Sequence, residues 1–244
     1  MRFYKYFLLS CFIFCLGELK AQQFIGVRAA GAVSSVGYTN NVETNQTLFT
    51  TFIPAYSGGV FYRLYTSPNA GLQIGLDYSK KGFAERVPES RKIGDNPQTE
   101  SIAADYTYLE VPLMSSFYVF KGSTKVVINL GPYFAYQLSN VQKVIDVETG
   151  NIKSEEQIEY DDFRDNRFDL GIRAEIGMLQ SFGQSSVELT GIFSVGLKNI
   201  INPDYPGAPY GTLNIFAGLQ MAYLFQFDLF KERFPFVDRR KKMK

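Results

Sequence analysis

From residue 22 to residue 227, apolar and polar positions alternate with a period of two over eight stretches. These are 24–36, 55–65, 70–81, 106–120, 126–139, 167–180, 187–198 and 212–227. A period of two sends successive side chains to opposite faces of a strand. The clearest case is 70–81, where Leu72, Ile74, Leu76 and Tyr78 share one parity and Gln73, Gly75, Asp77 and Ser79 the other. In 106–120, Leu109, Val111, Leu113 and Phe117 oppose Glu110, Pro112, Met114 and Ser116; in 167–180, Phe168, Leu170, Ile172 and Ile176 oppose Arg167, Asp169, Arg173 and Glu175. Proline cannot donate to a ladder, so Pro112 and Pro132 predict local bulges.

The connections alternate too. Those at 67–69, 121–125 and 182–186 are short, and those near 37–53, 82–105, 140–165 and 200–210 are long. Strands of about ten residues, alternating in polarity and joined by alternating short turns and long loops, are the pattern of a small membrane barrel. The expected fold is therefore all-β, an eight-stranded antiparallel transmembrane outer-membrane β-barrel whose apolar parity faces lipid. Short turns are periplasmic in such barrels, which places both termini in the periplasm.

The polar parity then becomes the lumen. It collects Arg28, Arg63, Arg167, Arg173 and Lys198 against Asp77, Glu110, Asp169, Glu175 and Glu188. An eight-stranded interior is just wide enough for side chains to fill. Buried charges must pair, and here the two signs balance. The expectation is a charge network that holds the barrel from within. A proton or ion path through these groups is the alternative, because intramembrane charges often mark one.

The first residues bear on compartment. Arg2 and Lys5 precede an apolar run from Tyr6 to Leu16, and Ala21 offers a small residue before Gln22. That reads as a signal peptide over 1–21, too short to span as a helix. Leu8-Leu9-Ser10-Cys11 is half a lipidation box, but it leaves almost no apolar run ahead of Cys11. Both cysteines, Cys11 and Cys15, fall in the expected leader, so no disulfide is expected afterwards. The division that follows is a leader at 1–21, a barrel at 22–227 and a basic periplasmic tail at 228–244.

Composition adds little beyond this. Phe and Tyr number 22 and 16 with no Trp, which suits strands with interfacial aromatics. The net charge is +1, and removing Arg2, Lys5, Lys20 and Glu18 with the leader leaves −1, so no nucleic-acid partner is suggested. In the tail, Arg239, Arg240, Lys241, Lys242 and Lys244 could dock an acidic partner; the plainer reading is a solvated end.

Little in the chain points to catalysis. It has no histidine, which excludes Ser-His-Asp and Cys-His nucleophiles and any His-based metal site. The acids between Asn140 and Asn166 lack the glycine of a calcium loop and read as a solvated acidic loop with a hairpin around Thr149-Gly150-Asn151. Loop 82–105 mixes Lys81, Arg86, Arg91 and Lys92 with Glu85, Glu89, Asp95 and Glu100, and its prolines favour irregular structure. No cofactor and no small-molecule substrate is implied.

Four stretches, spread over most of the expected barrel, together carry a family resemblance. Tyr108-Leu109-Glu110-Val111-Pro112-Leu113, then Gly131-Pro132-Tyr133, Phe168 to Gly177 and Gly191 to Asn199, resembles the PorT-like outer-membrane β-barrel family. The resemblance implies an outer-membrane component of the type IX secretion system, needed to export cargo such as proteases with a C-terminal signal domain. Its partners would be outer-membrane lipid and other secretion-system proteins. A general structural or surface-binding barrel and a narrow solute channel are the competing readings.

Overall fold

The computed structural model describes residues 22–39, 49–65, 67, 69–88, 97–119, 122–206 and 208–227. The expected leader at 1–21 and the tail at 228–244, including Arg239, Arg240, Lys241, Lys242 and Lys244, lie outside the described residues. Ten strands are present among them: β1 (Gln22–Thr39), β2 (Thr50–Thr51), β3 (Ile53–Tyr65), β4 (Ala70–Glu85), β5 (Glu100–Val119), β6 (Thr124–Asp146), β7 (Ile152–Gln157), β8 (Phe168–Phe182), β9 (Ser185–Gly196) and β10 (Gly211–Phe227).

Eight of them close a ring. In order, β4, β3, β1, β10, β9, β8, β6 and β5 are hydrogen-bonded neighbours, and β5 returns to β4. Every pairing is antiparallel. Closure leaves the ring itself without an edge strand, which is the condition for crossing a bilayer with strands. The first and last strands meet along their length, from Gln23 opposite Phe227 to Thr39 opposite Gly211.

Burial alternates along the ring strands, with the apolar residues on the outside. Ile25, Val27, Val60, Ile74, Leu76, Leu113, Leu130, Phe134, Ile172, Ile176, Leu189, Phe193, Leu219 and Met221 are exposed, while Arg63, Asp77, Glu110 and Arg173 are at most 2 % exposed. Such an inversion is stable only if lipid covers the outer face. Each large side chain then gains about 1.5–3 kcal/mol over exposure to water. No helix of the described residues is long and apolar enough to cross a membrane.

Three connections are tight and sit with both ends of the ring. Between β8 and β9 only Gly183 and Gln184 intervene, and Gly183 has φ +68°, a conformation that costs glycine least. At the opposite end β4, β5 and β6 continue well past the expected 81, 106 and 139. In these extensions apolar and polar residues no longer alternate in the sequence, so the period-two signal fades. The turn at Thr149-Gly150-Asn151 is present: β6 runs to Asp146 and folds back as β7, which pairs with β6 from Val141–Gln157 to Ile145–Ile152.

The two prolines behave differently from expectation. No register shift occurs at Pro112 or Pro132; the ladder lapses instead. On the β4 side, pairing skips from Ile74–Leu113 to Asp77–Glu110; between β5 and β6 it skips from Pro112–Tyr133 to Ser115–Leu130. A missing donor is accommodated by two unpaired positions on one side while the other neighbour keeps register. The β5–β6 bulge falls at Thr107/Tyr108 instead.

The hairpin tip is held by a side chain. Asp146 accepts the N–H of Glu148 at 3.0 Å and of Thr149 at 2.9 Å, and Lys153 Nζ lies 3.0 Å away. The Thr149 backbone bond foremost, then Lys153, holds this carboxyl down at about 2, from an ordinary 3.8. A folded value below the unfolded one stabilises the tip fully above the ordinary value, and the contribution is lost as pH falls through about 2. A carboxyl-carbon NMR titration should find that midpoint, and Thr149 amide protection should persist at pH 4 and fade toward pH 2. A midpoint near the ordinary value would refute the cap.

Candidate functional site: the luminal charge network

All eight ring strands send polar side chains into the centre of the lumen. Arg63 on β3 donates from Nη1 to Glu188 Oε2 at 2.7 Å and from Nη2 to Oε1 at 3.2 Å, the forked geometry of a strong guanidinium–carboxylate pair. Its Nε donates to Gln73 at 2.7 Å, and its guanidinium sits 5.3 Å from the Phe61 ring centre. Asn129 on β6 links onward, donating to Glu188 at 3.3 Å and Glu175 at 2.8 Å.

The second half centres on Asp77. Arg28 grips both of its oxygens, at 2.8 and 2.9 Å, and Arg173 Nη1 reaches Oδ2 at 2.7 Å. Arg173 Nη2 also donates to Glu110 at 2.6 Å. Glu110 in turn accepts from Ser79 at 2.8 Å and pairs with Lys81. The Lys81 ammonium is ringed by Tyr133, Tyr108 and Phe216, at 4.7, 5.6 and 5.6 Å from their centres. Three aromatic faces replace part of the hydration that a buried ammonium loses. Asp169 accepts from Tyr133 Oη at 3.1 Å and from Asn214 at 2.9 Å, so neutral donors hold it.

Apolar layers close the network above and below. Toward the short turns lie Phe24, Phe61, Tyr65, Tyr118, Val127, Leu179 and Leu224, with Tyr65 stacked on Tyr118 at 4.5 Å. Toward the long loops lie Val36, Phe83, Tyr106, Tyr108, Tyr133 and Ile200, with Tyr38 against them. The lumen is a core with a charged centre, flanked by buried rings and aliphatic chains toward both ends. In so low a dielectric, ion pairs survive only because geometry and extra hydrogen bonds satisfy them.

The polar parity identified most of this set. Arg28, Arg63, Asp77, Glu110, Asp169, Arg173, Glu175 and Glu188 all face inward and are buried. Two expected members do not. Arg167 precedes β8, and its guanidinium stacks 3.8 Å from the Tyr160 ring centre and donates to Tyr136 Oη at 3.0 Å, outside the lumen. Lys198 is exposed, because β9 ends at Gly196 and the chain turns away before parity could carry Lys198 inward. Lys81 is the member the sequence reading left out: it ends the expected strand 70–81, but its charge is counted there with the loop that follows. It continues the inward parity of Asp77 and Ser79, and following that parity two residues further would have found it.

With those exchanges the buried set holds four cations and five carboxylates. The stretch Tyr108–Leu113 is explained by its position on β5. Tyr108 and Glu110 join the network, Leu109 and Leu113 face lipid, Pro112 marks the interrupted rung, and Val111 is half-buried between. Among the described residues no group of three or more acidic, cysteine or histidine side chains is placed to hold a metal ion.

A family model described as outer membrane protein beta-barrel domain matches residues 20–202, which takes in β1 to β9. The chain belongs to this outer-membrane β-barrel family. Membership and the closed, lipid-facing ring together establish an outer-membrane β-barrel protein. Solved barrels resemble it at low identity. OprG of Pseudomonas aeruginosa is 12 % identical, with 85 % of this chain and 97 % of that one covered, at a TM-score of 0.46. Ail of Yersinia pestis is 10 % identical, covering 84 % and 99 %, and Neisserial surface protein A is 11 % identical, covering 83 % and 97 %, both at a TM-score of 0.39. No curated protein matches the chain. In this family barrel, what remains to be assigned is the work done at its surfaces.

Proposed function

We propose that this barrel is a component of the type IX secretion system that acts by protein–protein contacts at the outer membrane, without catalysis. The observation that carries the reading is the filled lumen. Two apolar layers over a buried charge centre, in which every cation meets a carboxylate and Asp169 is held by neutral donors, leave the rims and loops as working surfaces, which disfavours conduction of a solute. The Tyr108–Leu113 stretch supports the narrower assignment through its resemblance to PorT-like barrels. The short turns and both ends of the ring would face the periplasm, with the basic residues at 239–244 available there to an acidic secretion subunit.

The ordered β6–β7 hairpin favours a second reading, a surface-binding barrel with no secretion role. Deleting the gene separates the two. On the secretion reading, unprocessed cargo bearing the C-terminal signal domain accumulates in the periplasm while other outer-membrane proteins stay at normal levels. A chain ending at Phe227 should show the same defect with the barrel still inserted. Unaltered export in the deletion strain would leave the surface-binding reading standing.

A further inference from the structure

Beyond the ring, β7 is an edge. It pairs with β6 on one side and with no other strand among the described residues, and all six of its residues are exposed. The edge is polar and can be read amide by amide. Ile158 N–H donates to the Asn140 carbonyl at 2.9 Å, and from there the register runs Gln157–Val141, Glu156–Gln142 and Glu155–Lys143. Backbone groups alternate sides along an antiparallel strand. With Ile158 turned toward β6, Glu156 and Ser154 turn the same way, so Glu155 and Gln157 direct their N–H and C=O groups outward.

The charges along this edge are lopsided. Glu155, Glu156, Glu159, Asp161 and Asp162 follow one another within eight residues, whereas Lys153 is already committed to Asp146 at 3.0 Å and Glu100 at 3.2 Å. Charged side chains protect an open edge against indiscriminate pairing. The same carboxylates select a partner of opposite sign. A second copy in the same membrane is a poor fit: rotation about the membrane normal leaves both β7 strands pointing one way, which brings like carboxylates together.

We propose that the free edge of β7 accepts an extended basic segment of a partner protein by strand addition, with backbone bonds at Glu155 and Gln157 and lysine or arginine side chains against Glu155 and Glu156. Strand addition of this kind draws affinity from main-chain bonds and specificity from flanking side chains. The site lies on the hairpin and does not depend on whether the barrel serves secretion.

The test uses the full chain in zwitterionic lipid nanodiscs with a synthetic lysine-rich peptide that carries lysines on both faces when extended, and its glutamate-rich counterpart. Saturating lysine peptide should slow amide exchange at Glu155 and Gln157 by about tenfold or more, and the glutamate peptide should leave it unchanged. Glu155→Pro removes an outward donor without touching the β6 ladder, and Glu155→Lys with Glu156→Lys keeps the backbone and reverses the charge. Each should weaken peptide binding by about tenfold, with heat-modifiable gel migration confirming an intact barrel. Unchanged exchange with saturating lysine peptide, equal binding of both peptides, or wild-type binding by both variants would overturn the proposal. Protection that rises with protein concentration and no peptide would overturn it in favour of a second copy.

Discussion

Replacing Arg63 by methionine is expected to cost the barrel about 3–5 kcal/mol, the range for breaking a buried ion pair by removing one partner. Glu188 would lose both forked bonds and its one cationic partner among the described residues, keeping only the 3.3 Å amide of Asn129. Arg173→Met should fall at the low end of the same range, because Asp77 keeps Arg28 and Glu110 keeps Lys81. Arg63→Met with Glu188→Met removes both charges and should recover most of the loss. Urea titration in lipid vesicles, read by tryptophan-free tyrosine fluorescence and gel migration, gives the order. Lys198→Met and Arg167→Met should leave the midpoint where it is, since neither side chain enters the lumen. If Arg63→Met costs less than about 1 kcal/mol, the pair behaves like a surface pair and the sealed lumen is wrong.

The second large effect is steric. Gly59 on β3 lies opposite Asp77 on β4, and a Cβ there would overlap the Leu76 carbonyl and Asp77 Oδ1 and come within 2.7 Å of Asp77 Cα. Two of these obstacles are backbone and cannot swing aside. Gly59→Ala must therefore displace the carboxylate that both Arg28 and Arg173 share, and it should destabilise by about 1–3 kcal/mol as an overpacked core does. Gly31→Ala is the control, because a Cβ at Gly31 meets nothing within 4 Å. Equal midpoints for the two variants would show that β3 and β4 can separate here without penalty.

The barrel itself was legible because lipid and a narrow lumen impose opposite demands on alternate residues. Leu72, Ile74, Leu76 and Tyr78 face one environment and Gln73, Asp77 and Ser79 another, and the same demand recurs along all eight ring strands. Legibility ended where those two environments end. Glu100 to Asp105 and Asn140 to Asp146 are strand, yet their sequence does not alternate apolar with polar, and Asn140 to Asp146 is half-buried throughout. Lys81, Arg167 and Lys198 were misplaced for the same reason: each stands within a few residues of a boundary that the pattern cannot mark. The ion-pair partners were beyond reach altogether. Parity says that Arg63 points inward, but which of five carboxylates it meets depends on the stagger of the strands.

That stagger has a consequence for biogenesis. Arg63 and Glu188 are 125 residues apart in the chain, and Arg173 and Asp77 are 96 apart, so the pairs join early strands to late ones. The ring shuts only when β10 meets β1. A nascent sheet short of its final strand would leave β1 and β9 without their ladder to β10 and open the charge centre to lipid through the gap, where its ions are costly. Insertion and closure are thereby made a single event, and a chain truncated before Gly211 should be stranded outside the membrane as a substrate for periplasmic proteases instead of persisting as a leaky half-barrel.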